Sequence, residues 1–162
     1  MKHAQGQSGM TLIEMLAAIL VLTLLICAMG TGMEAAMGIY QESVFQSESA
    51  AMADILNTAM EDVLGFSHMT QTGDGWLASN GAYGLQAGGI VEKAGYLYLA
   101  DGDRESLLVN RGVYGNLAVA DFCCTYEKEE GADPGWFRIC YTITDGTRTR
   151  SVETAIRLLN GV

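Results

Sequence analysis

Gly9-Met10-Thr11-Leu12-Ile13-Glu14-Met15-Leu16-Ala17-Ala18-Ile19-Leu20-Val21-Leu22 is the stretch that decides how this chain is organised. A glycine closes a short polar leader, an apolar run follows, and one carboxylate stands at the fifth position of that run. From Met10 to Met29 the only charge is Glu14 and the only hydroxyls are those of Thr11 and Thr23. As a helix, at 1.5 Å per residue, this stretch spans about 30 Å, the hydrocarbon thickness of one bilayer. A charged side chain inside such a segment costs a few kcal/mol, so Glu14 asks for a functional reason.

Helical periodicity continues past the apolar run. Met33, Ala36, Met37, Tyr40, Val44, Ala51, Met52, Ile55, Leu56, Ala59, Met60, Val63 and Leu64 recur mainly at spacings of three and four, which is an amphipathic stripe. Gly65 follows as a C-cap. A helix from 11 to 64 would be about 80 Å long, and a domain of this size covers far less than half of it. The uncovered apolar residues must meet lipid or other helices. Gly30, Gly32 and Gly38 each lower helix stability by about 1 kcal/mol relative to Ala, and mark a close-packing surface, a weak point or a hinge that extends when copies of the chain assemble. The methionines of this helix fit adaptable packing better than a cofactor site.

From residue 72 the pattern changes to short runs of Tyr, Val, Leu and Ala punctuated by glycines. Strands are predicted at 82–86, 89–92, 95–100, 106–113, 117–127, 136–144 and 147–158. The last two are the clearest. Phe137, Ile139, Tyr141 and Ile143 alternate with Trp136, Arg138, Cys140 and Thr142. Asp145-Gly146 reads as a two-residue hairpin loop. That loop pairs Thr144 with Thr147 and sets Arg138 opposite Glu153. Asp133-Pro134-Gly135 forms a turn before the hairpin. The expected class is α+β, a long N-terminal helix with an antiparallel sheet packed on its C-terminal half. The expected divisions are a leader at 1–9, a transmembrane helix half at 10–32, an amphipathic half at 33–65 and a β-rich domain at 66–162.

The chain has 162 residues and a formal net charge of −10. Direct nucleic-acid binding is therefore not expected, since phosphate neutralisation needs Lys and Arg. No Lys or Arg occurs between Lys2 and Lys93. The basic residues near the apolar run are all on its N-terminal side, so that end stays cytoplasmic and the remainder is exported. Cys27 packs as a small hydrophobe in the apolar run. In an exported domain Cys140 would join either Cys123 or Cys124, closing a ring of about 15 residues worth about 3 kcal/mol in the chain-entropy model. The alternative is three free thiols. Three cysteines with no nearby His are too few for a closed zinc site.

Little else suggests chemistry. His68 reads as a loop histidine. Asp101-Gly102-Asp103-Arg104-Glu105 begins like a calcium loop but lacks the later ligands, and Arg104 opposes a cation. Glu127-Lys128-Glu129-Glu130 reads as a solvated turn. No phosphate loop, nucleophile elbow or HExxH motif occurs. No catalytic residue, metal or cofactor is expected.

The pattern G-[MF]-T-L-[IVL]-E followed by about 15 apolar residues resembles the N-terminus of type IV pilins and pseudopilins. The resemblance covers residues 9 to about 33. It implies cleavage between Gly9 and Met10 by a prepilin peptidase, and N-methylation of Met10 by the same enzyme. Met stands where Phe is most usual. It further implies that Glu14 pairs with the α-amino group of a neighbouring subunit's Met10 and sets the register of assembly. The implied fold is the pilin-type roll. The implied partners are prepilin peptidase, other pilin or pseudopilin subunits, the inner-membrane platform and ATPase machinery, and the lipid bilayer. The implied location is the cytoplasmic (inner) membrane in a single pass, then a pilus or a secretion or DNA-uptake pseudopilus. A minor subunit fits the glycine-rich strands and acidic surface better than a major one. A secretory signal cut near Ala28-Met29-Gly30 would instead place Glu14 at the start of its apolar core, where a carboxylate is disfavoured. An uncleaved signal anchor is the third option. The rival from another functional class is a membrane-tethered, exported binding domain that does not polymerise.

Overall fold

The structure, a computed structural model, describes residues 11–72, 75–127 and 135–159. The leader 1–9, Met10, Lys128–Glu130 and Asp133–Pro134, each part of a sequence expectation, lie outside the described residues. The architecture is α+β. Helix α1 runs Leu12–Leu64 and is followed by strands β1 His68–Thr72, β2 Gly75–Asn80, β3 Leu85–Lys93, β4 Tyr96–Asp101, β5 Arg104–Leu107, β6 Ala118–Glu127, β7 Trp136–Thr144 and β8 Thr149–Arg157. They form a five-stranded antiparallel sheet in the order β1-β2-β3-β4-β5 and a three-stranded antiparallel sheet in the order β6-β7-β8.

The chain divides into two compact units, with the boundary between Ser43 and Val44. In the first unit α1 is continuous through Gly30, Gly32 and Gly38, and none of residues 11–43 is buried. In the second unit α1 buries Phe45, Ser49, Met52, Ala53, Leu56, Met60, Val63 and Leu64. Spacings of three and four keep these on one face, against the core. Met52, Leu56, Met60, Val63 and Leu64 match the sequence stripe. Ile55 is instead 46% exposed, and Phe45, Ser49 and Ala53 take buried places the stripe did not assign.

The C-terminal end of α1 is closed by side chains. Ser67 Oγ and Asn80 Nδ2 (2.8 Å) both donate to the carbonyl of Val63. They answer one of the carbonyls that a helix end leaves unpaired. Gly65 does not form the left-handed cap expected of it. Its N–H still bonds the Glu61 carbonyl at 2.8 Å, and its φ is not positive. Its own carbonyl accepts the N–H of Leu159 at 2.7 Å.

β1 and β2 form a hairpin where no strand was predicted, and His68 opens β1 as an exposed strand residue rather than sitting in a loop. Of the predicted strand 82–86 only Leu85 and Gln86 are extended, because Gly81–Tyr83 is a 3-10 turn capped by Asn80; these two join the predicted 89–92 in one strand, β3, which pairs with β2 up to Gly88 and with β4 from Gly89. β3 and β4 are joined by Ala94-Gly95, both with positive φ (53° and 83°), as a type I′ turn requires. A Cβ at position 95 would also fall 2.9 Å from Ala118 Cβ. That close approach lets the Gly95 carbonyl take the Val119 N–H at 2.9 Å and link β6 to this hairpin. The predicted strand 106–113 ends early: β5 stops at Leu107, and Arg111–Val113 is a 3-10 turn capped by Asn110.

The β7–β8 hairpin corrects the sequence reading. Thr144 pairs with Thr149, not Thr147, and Arg138 faces Ala155, not Glu153. The loop holds the four residues from Asp145 to Arg148, because the Asp145 carboxylate organises it. Oδ1 accepts from Thr147 N and Oγ1 (2.8 Å each) and from Arg148 N (2.6 Å). Those bonds bring the carboxyl pKa of Asp145 down to about 2.

The core of the second unit lies between α1 and the inner faces of the strands. Leu97, Tyr114, Val119, Ile139, Tyr141, Ile143 and Leu158 pack there with the α1 residues above. Tyr114 Oη accepts the Leu97 N–H at 3.0 Å, and Tyr141 Oη donates to Asn57 Oδ1 of α1, also at 3.0 Å. Burial raises both phenol pKa values.

Candidate functional site

The N-terminal turn of α1 is a capping box. Thr11 precedes the helix, and its N–H and hydroxyl both donate to Glu14 Oε2, at 2.8 and 2.9 Å. The Glu14 N–H in turn lies 3.4 Å from Thr11 Oγ1 and 3.1 Å from the Thr11 carbonyl. Donors left open at the helix start are thereby answered reciprocally, and the carboxylate sits where the helix dipole favours negative charge. The sequence reading gave Glu14 to a partner's amine and missed Thr11. The signal was present, because Thr-x-x-Glu before an apolar run is the capping-box pattern. From Leu12 onward the helix leaves Leu16, Ile19, Leu20, Val21, Leu24, Ile26, Met33 and Tyr40 exposed. By length and composition it can cross a membrane, with an apolar window of mean hydropathy 2.7.

Strand register sorts the cysteines. No disulfide joins any of the four in this structure. Cys123 and Cys140 are direct partners across β6 and β7, whereas Cys124 pairs with Ile139. Successive strand residues point to opposite faces. Cys123 therefore shares the outer face with Cys140, and Cys124 packs against the core. Burial pushes the Cys124 thiol up to about 11. Cys27 is exposed on α1 in the first unit.

The same outer face carries a groove of about 270 Å³ lined by Glu127, Trp136, Arg138, Glu153, Thr154 and Ala155. Arg138 makes a forked contact to Glu127, 3.0 Å from Nε to Oε1 and 3.4 Å from Nη2 to Oε2, and reaches Glu153 at 3.5 Å. The Glu153 contact is diagonal, two residues from the facing position, so the ion pair survives the register correction. Hydrogen bonding to Glu127 raises the Arg138 pKa. Among the described residues the groove's charges, Arg138 with Glu127 and Glu153, pair with one another. Sequence reasoning did not find it, because its lining comes from three strands.

Elsewhere, Asp101 Oδ1 accepts the Ala87 N–H at 3.0 Å, tying the β4–β5 turn to β3. Among the described residues no group of three or more His, Cys, Asp or Glu is placed to hold a metal ion. The chain matches no family model, no curated protein and no solved structure.

Proposed function

We propose that the chain is a minor type IV pilin-like or pseudopilin subunit. Prepilin peptidase cleaves it between Gly9 and Met10 and methylates the new N-terminus. The subunit is held in the cytoplasmic membrane by the first part of α1 and then joins a filament through that helix. The observation that carries this reading is a lone carboxylate, Glu14, on an apolar helix whose residues 11–43 are all left exposed among the described residues. Lipid and neighbouring helices are the two surroundings that satisfy such a face. The amine of a neighbouring Met10 supplies the countercharge a buried carboxylate needs. The protein carries no proposed catalytic residue, metal or cofactor, and its partners are the peptidase, sister subunits and the membrane assembly machinery.

The mature N-terminus tests this directly. Mass spectrometry of protein recovered from its native host is expected to find a methylated Met10. A working protein that retains residues 1–9, or one cut near Gly30, overturns the proposal and favours a tethered domain that does not polymerise. A second test is Glu14→Leu, which is expected to remove the subunit from sheared filament fractions.

A further inference from the structure

We infer that Cys123 and Cys140 form a cross-strand disulfide on the outer face of the β6-β7-β8 sheet, with Cys124 and Cys27 left as thiols. The pair are direct register partners in an antiparallel ladder. Such partners hold their Cα atoms about 4.5–5.5 Å apart, inside the range a disulfide spans. Both side chains lie on the face away from the core, and Cys123 is exposed to an oxidant. Cys124 faces the other side of the sheet, so it cannot reach Cys140 without a change of register.

A bulge creates this alignment. Register shifts between Ala120 and Cys123, and Asp121 takes φ of +52°. Ala120 faces Thr142, and without the extra residue the ladder would set Phe122 against Cys140 and Cys123 against Ile139. A non-glycine residue at positive φ is strained. Here the strained residue is the one that moves Cys123 to the outer face and opposite Cys140.

The chemistry is ordinary thiol–disulfide exchange with a low-molecular-weight disulfide or a dithiol oxidase. With oxidised glutathione, the Cys123 thiolate attacks one sulfur and releases one glutathione thiolate. The Cys140 thiolate then attacks the mixed disulfide and releases the second. Two protons leave the pair, and its two electrons reduce the glutathione disulfide. The cross-link encloses the β6–β7 connection and fixes the register of these two strands. The pairing rests on strand register alone and is independent of the assembly reading.

The test uses the full chain, reduced in detergent micelles, oxidised with glutathione disulfide, alkylated after denaturation and digested with trypsin. Cleavage after Arg111, Lys128, Arg138 and Arg148 puts Cys123 and Cys124 on one peptide and Cys140 on another. The expected result is one linked pair of these peptides per chain, fragmentation of which assigns the bond to Cys123, with Cys27 and Cys124 alkylated. Cys124→Ser is expected to retain the link, and Cys123→Ser to lose it while keeping its circular dichroism. A link through Cys124, or four alkylated cysteines after oxidation, overturns the inference. Should Cys123→Ser fail to fold, fragmentation of the unsubstituted linked peptides still decides between the two residues.

Discussion

Two substitutions separate the structural work of Glu14 from its proposed work in assembly. In Thr11→Val the hydroxyl is lost, and with it the 2.9 Å bond to Glu14 Oε2 and the 3.4 Å contact from the Glu14 N–H. The Thr11 N–H to Oε2 bond, 2.8 Å, does not need the side chain and remains. Losing a threonine N-cap opens the first turn about fivefold more often. In Glu14→Gln the reverse holds. A glutamine at this position still completes a capping box, so the turn stays closed, but the charge is gone. If that charge meets a neighbour's amine away from water, removing it weakens association by about a hundredfold or more. Hydrogen exchange of the Glu14 and Met15 amides in micelles reads the first effect, and recovery of subunit in sheared filaments reads the second. Thr11→Val is expected to exchange about fivefold faster and still assemble, once cleavage after Gly9 is confirmed. Glu14→Gln is expected to exchange normally and not assemble. Normal assembly of Glu14→Gln would refute the reasoning, since the carboxylate would then be a cap and nothing more.

Three further outcomes follow from the second unit. Asn80→Ala removes the buried 2.8 Å bond to the Val63 carbonyl and the acceptor for the Ala82 N–H; urea unfolding is expected to show a loss of about 1–3 kcal/mol, with a Ser67→Ala, Asn80→Ala double variant losing more than the sum. Ala94 is exposed with φ of 53° beside Gly95, so Ala94→Asn, which suits a type I′ turn, is expected to raise stability by about 0.5–1 kcal/mol in the same assay, while Gly95→Ala lowers it. Asp145 has a folded pKa lowered to about 2 from 3.8; a lowered carboxyl pKa stabilises above the unfolded value and stops doing so as pH falls through the folded one. Exchange protection of the Thr147 and Arg148 amides is therefore expected to fall between about pH 4 and 2, and Asp145→Asn to flatten that dependence.

What the sequence revealed follows from how local each signal is. The strand 136–144 was legible because alternation of Phe137, Ile139, Tyr141 and Ile143 is a property of neighbours along one strand. Its partner's register was not, because Asp145-Gly146 names a turn without saying that Asp145 accepts three donors and lengthens it. β1 stayed hidden because His68-Met69-Thr70-Gln71-Thr72 is mostly polar and buries only Met69 of its first three residues. The placement of Cys123 depended on a bulge at Asp121, which no side-chain pattern announces. The capping box is legible in the spacing of Thr11 and Glu14, but the same carboxylate also reads as a cost to a membrane helix, and that reading points to a partner's amine and away from its nearest donors.

The capping box narrows the assembly proposal without displacing it. Hydrogen bonds from Thr11 satisfy donors at the helix start and two acceptor directions of Glu14, yet both land on Oε2. They bring dipoles to the carboxylate but no positive charge, and a carboxylate taken from water needs a countercharge as well as hydrogen bonds. The first unit has none to offer among its described residues, since no Lys or Arg occurs between Lys2 and Lys93. The same unit buries none of its apolar helix, whereas from Phe45 onward α1 buries a residue every three or four positions. Both deficits, of cover and of charge, fall on the same stretch of chain. A neighbouring subunit that brings an apolar helix and a free amine removes them together, while lipid alone removes only the first.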